Sequence, residues 1–114
     1  MNQISIDQLY ELFVDTAKRC SSATASLSGE EIEYNLFEEF DVGVRSFFHD
    51  DNLSKLVEAG MIGTEAIPIS QEIRNRWIEL EESNWTIDEV RNHPEWRRLF
   101  ALCDSLLALL DRHY

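Results

Sequence analysis

The chain has 114 residues, a length typical of a single domain, and its hydrophobic content of 44%, with three Trp and six Phe, excludes an intrinsically disordered chain. Its 22 acidic residues outnumber 10 Lys and Arg, which gives a formal net charge of −12. This acidic excess argues against nucleic acid as a direct ligand, since phosphate contacts need Lys and Arg, and it favours a basic protein partner. The sequence shows no signal-peptide pattern, and no stretch approaches the ~20 apolar residues of a membrane span. It therefore predicts a cytoplasmic protein with no membrane contact.

The first half of the chain predicts two amphipathic helices. Ser5 and Gln8 have the spacing of a capping box, and apolar residues recur behind them at helical spacing, so a first helix is expected to end or fray at SSATASLSG. Ser28 and Glu31 form a second capping box, and the helix behind it is predicted to extend to Phe48.

This second helix carries the most acidic stretch of the sequence. EEIEYNLFEEFD, residues 30–41, holds six carboxylates and no basic residue, and residues 30–51 hold eight acids against one base, Arg45. Helical spacing predicts an apolar face turned inward and a charged face turned outward. The predicted inner face is Ile32, Leu36, Phe40, Gly43, Val44 and Phe47, and the predicted outer face is Glu31, Tyr34, Glu38, Asp41 and Arg45.

Punctuating residues divide the following segment. Asp50 or Asp51 is expected to cap a third helix, and Gly60 is a natural stop for it. Gly63 and Pro68 are expected to keep the next joint out of continuous helix, so the fourth helix is predicted to start at Ser70.

The last third of the chain predicts a short helix and a long one. Thr86 and Glu89 form a third capping box, with Trp85 and Val90 in the two positions of a hydrophobic staple. Pro94 ends the short helix and suits the first position of the last one. No segment alternates with period two for long enough to make a strand. The sequence therefore predicts an all-α bundle of five or six helices in a single domain, residues 1–114.

No catalytic pattern is present. Carboxylates near His49 could supply metal ligands, but neither an E-x-x-H nor an H-E-x-x-H pair occurs. The sequence also lacks G-x-S-x-G and a glycine-rich phosphate loop. We therefore expect neither an enzyme nor a bound metal or cofactor.

The cysteines and arginines have structural interpretations. Cys20 and Cys103 fall among apolar helical positions and are predicted to be buried small hydrophobes, while a disulfide between them stays an open alternative. Arginines surround Trp77 and Trp96, and they are interpreted as neutralising glutamates on neighbouring helix faces rather than as a nucleic-acid patch.

In its small size, acidic helix and lack of catalytic residues, the chain resembles the immunity proteins of bacterial contact-dependent growth inhibition and related polymorphic toxin systems. The resemblance covers the whole chain in style, from EEIEYNLFEEFD to SQEIRNRWIELEESNWTIDEVRNHPEWRRLFALCDSLLALL. The helical immunity proteins of nuclease colicins carry a paired-tyrosine motif after their acidic helix, and this sequence has only Tyr34 near that position.

The resemblance implies a stoichiometric inhibitor that binds a basic toxin domain, often a nuclease, and covers its active cleft with carboxylates in place of nucleic-acid phosphates. The residues expected to bind this partner are Glu30, Glu31, Tyr34, Glu38, Asp41, Asp50 and Asp51. A second interpretation is an adaptor or secretion-chaperone-like module that binds an apolar segment. It requires Trp77, Trp85 or Trp96 to be exposed at a groove.

Overall fold

Helices account for the regular secondary structure of residues 4–113, the part of the chain that this computed structural model describes. The first helix, α1 (Ile6–Lys18), begins at the predicted capping box, in which Ser5 Oγ accepts from the Gln8 amide and Gln8 Oε1 accepts from the Ser5 amide, both at 3.1 Å. The serine-rich run that follows forms a short 3-10 helix, Ser22–Ser26.

The acidic stretch lies in one continuous helix of three parts. They are α2 (Gly29–Ile32), a π-helical segment (Glu33–Phe40) and α3 (Asp41–Ser46). Ser28 caps the helix as predicted. The expectation of an α-helix throughout is wrong, because the middle bonds from residue i to i+5, as when the Asp41 amide donates to the Leu36 carbonyl. Such segments are rare and are frequently found at functional sites.

The buried face of this helix is the one that the apolar pattern predicts, except at its last residue. Ile32, Leu36, Phe40, Gly43 and Val44 are buried. The helix ends at Ser46 rather than continuing to Phe48, so the backbone turns before the last predicted inner residue. Phe47 is consequently half-buried, and Phe48 takes the fully buried position.

The next two helices correct two predicted boundaries. His49, not an aspartate, caps α4 (Asp50–Glu58), with its Nδ1 accepting from the Asp51 amide at 3.2 Å. Gly60 follows with φ at 75°, the left-handed conformation that a glycine stop allows. The helix α5 (Ala66–Glu81) starts one turn earlier than predicted, because Pro68 lies in its first turn, where a proline removes no intrahelical hydrogen bond.

The final pair of helices matches the sequence pattern. Thr86 and Glu89 form both halves of the capping box of α6 (Ile87–Asn92). Pro94 is the first residue of α7 (Pro94–His113). The α7 helix packs against α5, α1 and α6, which makes it the central element, and it buries Trp96, Leu99, Phe100, Cys103, Leu106 and Leu110.

With α2, the π-helical segment and α3 counted as one, the described residues form six helices around one core, besides the short 3-10 helix, and no strand occurs among them. The predicted all-α, single-domain bundle is confirmed. None of the helices in the described range combines the length and the apolar character needed to cross a bilayer.

The two thiols are buried at the contact between α7 and the turn after α1. Cys20 and Cys103 are both free cysteines with no exposed surface, as the sequence predicted. Burial raises the pKa of the Cys20 thiol well above its usual value, and a hydrogen bond with Cys103 raises it further. A protonated, buried thiol is a poor nucleophile.

Gly43 marks the closest approach of α3 to α1. A methyl group on Gly43 would lie only 2.8 Å from Thr16 Cγ2, and the Thr16 hydroxyl is held in place by a 2.7 Å bond to the Leu12 carbonyl. We expect Gly43→Ala to destabilise the fold by about 1–3 kcal/mol, because overpacking outweighs the gain in helix propensity. Urea denaturation would measure this loss. Gly29→Ala is the matched control, since its methyl would meet Ile87 at an ordinary 3.7 Å; equal stabilities of the two variants would contradict the prediction.

Alkylation with iodoacetamide tests the state of the thiols. We expect both cysteines to resist modification in the native protein and both to react after denaturation, because burial keeps the Cys20 thiol protonated and hides both sulfur atoms. Mass spectrometry of the whole chain gives the number of adducts. Rapid native modification at either position would show that this part of the core opens.

Candidate functional site

The seven residues predicted to bind a partner lie along two helix beginnings and the π-helical segment between them. Glu30 and Glu31 belong to α2, Tyr34 and Glu38 to the π-helical segment, and Asp41 opens α3. Asp50 and Asp51 open α4. Some of their carboxylates accept hydrogen bonds from other helices and so stabilise the fold. Others form no ion pair among the described residues and are available to a partner.

Asp41 is a structural residue rather than a free member of an outer face. Its carboxylate is half-buried and accepts hydrogen bonds from Trp77 Nε1 at 2.8 Å and from Arg45 Nε at 3.0 Å. Arg45 also pairs with Glu81 of α5. The expectation that Asp41 points freely outward is therefore wrong, since α5 packs over it and its charge is balanced locally.

Asp50 is exposed but also paired. Arg74 Nη1 donates to its carboxylate at 2.8 Å, and Gln71 Nε2 donates at 3.2 Å. These two bonds, that from Arg74 first, lower the pKa of the Asp50 carboxyl. Arg74 also donates to the Phe48 carbonyl, so this pair ties α5 to the start of α4. The predicted negative field at Asp50 is thus reduced by an arginine from another helix.

Tyr34 is half exposed, at 49%, and its ring is held from two sides. Its hydroxyl donates to Glu39 Oε1 at 2.9 Å, and this bond raises the pKa of the phenol. The Arg19 guanidinium lies 5.8 Å from the ring centroid, within the range of a cation–π contact. Tyr34 is therefore an ordered, outward-facing aromatic residue.

The carboxylates left over surround a cleft. Glu30, Glu33 and Glu38 are exposed and form no ion pair among the described residues. The cleft has a volume of about 590 Å³ and lies between the acidic helix and the connection from α5 to α6. Its lining consists of Glu30, Glu33, Tyr34, Phe37, Glu38, Glu81, Ser83, Asn84, Trp85 and Ile87.

Four carboxylates and three aromatic rings line this cleft, and residues 4–113 contribute no Lys, Arg or His to its lining. Coulomb attraction draws cations to such a site, and the negative faces of the aromatic rings act in the same direction. We refer to it below as the acidic cleft. Of the predicted residues, it contains Glu30, Tyr34 and Glu38; Glu31, Asp41, Asp50 and Asp51 lie outside its lining.

The floor of the acidic cleft belongs to the aromatic core. Phe37 is 38% exposed, yet its ring centroid lies 5.7 Å from that of Trp77 and 6.0 Å from that of Trp96. Trp85 packs on Trp96 at 5.9 Å and donates its Nε1 hydrogen to the Leu80 carbonyl at 2.7 Å. Both rings are therefore fixed by the core before any ligand arrives.

Helical spacing brings several of these side chains to the same wall of the cleft. Residues four apart lie on one side of a helix, so Glu33 shares a side with Phe37, and Tyr34 with Glu38. The sequence pattern did not assign Glu33, Phe37, Glu81 or Trp85 to a common site. A helical period carries no signal for the approach of the α5–α6 connection, which brings Glu81 and Trp85 to the acidic helix.

The ion pairs bear on the predicted role of the arginines. Arg76 lies 3.6 Å from Glu95 and 3.8 Å from Glu72, and Arg91 donates to the Leu27 carbonyl at 2.8 Å. The expected pairing of these arginines with neighbouring glutamates is therefore present in part. Within residues 4–113, no three His, Cys, Asp or Glu side chains come together in a way that could hold a metal ion.

Paired substitutions separate the two kinds of carboxylate. Asp41→Ala is expected to destabilise the protein by about 1–3 kcal/mol, because it leaves the Trp77 indole N–H buried without its acceptor. Glu38→Ala is expected to change stability by no more than about 0.5 kcal/mol, since this side chain is exposed. Thermal or urea denaturation gives both values. Equal effects would show that Asp41 does not anchor α5.

Comparison of the chain with protein-family models, curated proteins and solved structures gave no match. The chemistry of the acidic cleft and of the surrounding carboxylates is therefore the basis for assigning a function.

Proposed function

We propose that this protein is an inhibitory binding protein of the immunity type, which captures a basic toxin domain through the surface around the acidic cleft. The observation that carries the proposal is the set of glutamates Glu30, Glu33 and Glu38, exposed and without ion-pair partners among the described residues, beside exposed aromatic rings. Six other carboxylates in the described range pair with arginines, and these are Asp15, Asp41, Asp50, Glu72, Glu81 and Glu95. The three glutamates are distinguished by their position together beside the aromatic rings of one cleft.

Like charges concentrated on one helix repel each other and lower the stability of the folded chain. A partner with the opposite charge removes this cost when it binds. Complementary charge also accelerates association, to ~10⁸ M⁻¹s⁻¹ or more at low salt. A toxin domain that binds nucleic acid would present such a basic surface, and glutamates could occupy the positions of phosphate groups.

The aromatic residues supply the second part of an inhibitor surface. Tyrosine and tryptophan are enriched among the residues that dominate protein–protein binding energy. Tyr34 and Trp85 both line the acidic cleft, and each makes a hydrogen bond within the protein. Charge would thus direct the encounter, and ordered rings would hold the complex.

The adaptor alternative has less support. Trp77 and Trp96 are fully buried, and Trp85 is half-buried in a cleft that four carboxylates share. An apolar partner segment would have to desolvate those carboxylates without offering them a partner. Salt-insensitive binding of an apolar helical peptide would be the observation in favour of this alternative.

Co-expression with a toxin tests the proposal. The genes beside that for this chain are searched for a toxin domain, and the domain found is expressed in a sensitive bacterial strain, with and without this protein. We expect the wild-type protein to restore growth and Glu30→Lys/Glu38→Lys to lose protection, with binding weakened about tenfold or more by the reversed charges. Glu58→Lys/Glu79→Lys is the matched control, because it changes the net charge equally at exposed sites outside the cleft. Absence of a neighbouring toxin domain, failure of the wild type to protect, or equal protection by both double variants would overturn the proposal.

The salt dependence of association gives a second measurement. We expect the association rate with the toxin domain to fall steeply as ionic strength rises, since exposed charges are screened within about 10 Å at 0.1 M salt. Stopped-flow measurements at several salt concentrations follow the Trp fluorescence. A rate that is independent of salt would contradict electrostatic capture.

A further inference from the structure

We propose that the acidic cleft is a binding site for an arginine side chain, and that its guanidinium group stacks between Phe37, Trp85 and Tyr34 while Glu33 and Glu38 accept its hydrogen bonds. The inference rests on the proposed function in one respect: the arginine would be supplied by the basic toxin domain. The site itself is a property of this chain and can be tested without a toxin.

The lining of the cleft matches the chemistry of a guanidinium. This group is planar and positively charged, stacks on aromatic faces and carries five N–H donors that pair with carboxylates. The cleft offers three aromatic rings and three carboxylates, Glu30, Glu33 and Glu38, that form no ion pair among the described residues, while Glu81 is paired with Arg45. Its volume of about 590 Å³ is ample for one such side chain together with the neighbouring residues of an extended segment.

Arginines of this chain already use the same two kinds of contact beside the cleft. The Arg19 guanidinium lies over the Tyr34 ring at 5.8 Å. Arg45 bridges Asp41 and Glu81, and Glu81 belongs to the cleft lining. Both arginines act from outside the cleft, so its interior has no cation of its own among the described residues.

The site favours arginine over lysine for two reasons. A guanidinium is more weakly hydrated than an ammonium, so it loses less on entering a cleft floored by Phe37 and Trp85. It also stacks on a ring through its flat face while donating from its edge, whereas an ammonium is a compact point charge. Lysine therefore satisfies the carboxylates but makes poorer use of the rings.

The aromatic side chains of the cleft are preorganised for binding. Hydrogen bonds hold Trp85 to the Leu80 carbonyl and Tyr34 to Glu39, and Phe37 packs on two buried tryptophans. Side chains that are already ordered cost little further entropy on binding. This is the behaviour expected of a residue pocket at the centre of an interface.

The test uses the whole chain and three short capped peptides, Gly-Arg-Gly, Gly-Lys-Gly and Gly-citrulline-Gly. Citrulline has the shape of arginine without its charge. The readout is the indole ¹H–¹⁵N signal of Trp85, with the buried Trp77 and Trp96 indoles as internal references. We expect the arginine peptide to shift the Trp85 signal with a millimolar dissociation constant, the lysine peptide to bind at least threefold more weakly, and the citrulline peptide to cause no saturable shift.

Variants assign the shift to the named residues. Glu33→Gln/Glu38→Gln and, separately, Phe37→Leu are each expected to weaken arginine-peptide binding at least fivefold. Glu58→Gln/Glu79→Gln, which removes the same charge elsewhere, is expected to change it less than twofold. The inference is overturned by a Trp85 signal that does not move, by equal binding of lysine or citrulline peptides, or by equal effects of the cleft and control variants.

These outcomes are independent of the toxin experiment. A shift of Trp85 by the arginine peptide, together with failure to protect cells, would retain the arginine site and remove the immunity function. Protection that depends on Glu30 and Glu38, together with no peptide binding, would retain the function and remove the arginine site.

Discussion

The edge-to-face packing of Trp77 on Trp96 joins α5 to α7, with ring centroids 5.8 Å apart and ring planes at 78°. Phe40 brings the long acidic helix to the same point, 5.0 Å from Trp77. All three side chains are buried, and such aromatic pairs add about 0.5–1.5 kcal/mol each beyond the burial of their surface. The relative positions of three helices, and hence the shape of the acidic cleft, depend on this contact.

The acidic cleft lies at the edge of that aromatic core. Phe37 packs against the buried Trp77 and Trp85 packs against the buried Trp96, and both rings also line the cleft. A surface built in this way is ordered by the same packing that stabilises the fold, so little conformational entropy remains to be lost when a partner binds. The same arrangement explains why Asp41, which accepts from the Trp77 indole, serves the fold rather than the partner.

Ion pairs with arginines cancel the negative charge at some carboxylates and leave it uncompensated at others. Arg45 and Arg74 neutralise carboxylates at the junctions of α3, α4 and α5. Glu30, Glu33 and Glu38 at the cleft have no such partner among the described residues, although the repulsion between them costs stability. These uncompensated glutamates lie beside ordered aromatic rings. That combination is the physical basis of both proposals, the capture of a basic protein and the arginine site in the acidic cleft.

Capping residues and apolar spacing were sufficient to predict the helical class, the starts of α1, α2, α6 and α7, and the burial of both cysteines, because these features depend on neighbours close in sequence. The clustering of acids on one helix was equally visible in the sequence. Only the tertiary structure decided which of those acids are free and which aromatic rings join them. Arg74, 24 residues from Asp50, the Trp77 indole, 36 residues from Asp41, and the α5–α6 connection determine that choice. None of them leaves a signal in local periodicity, because each acts through space rather than along the chain.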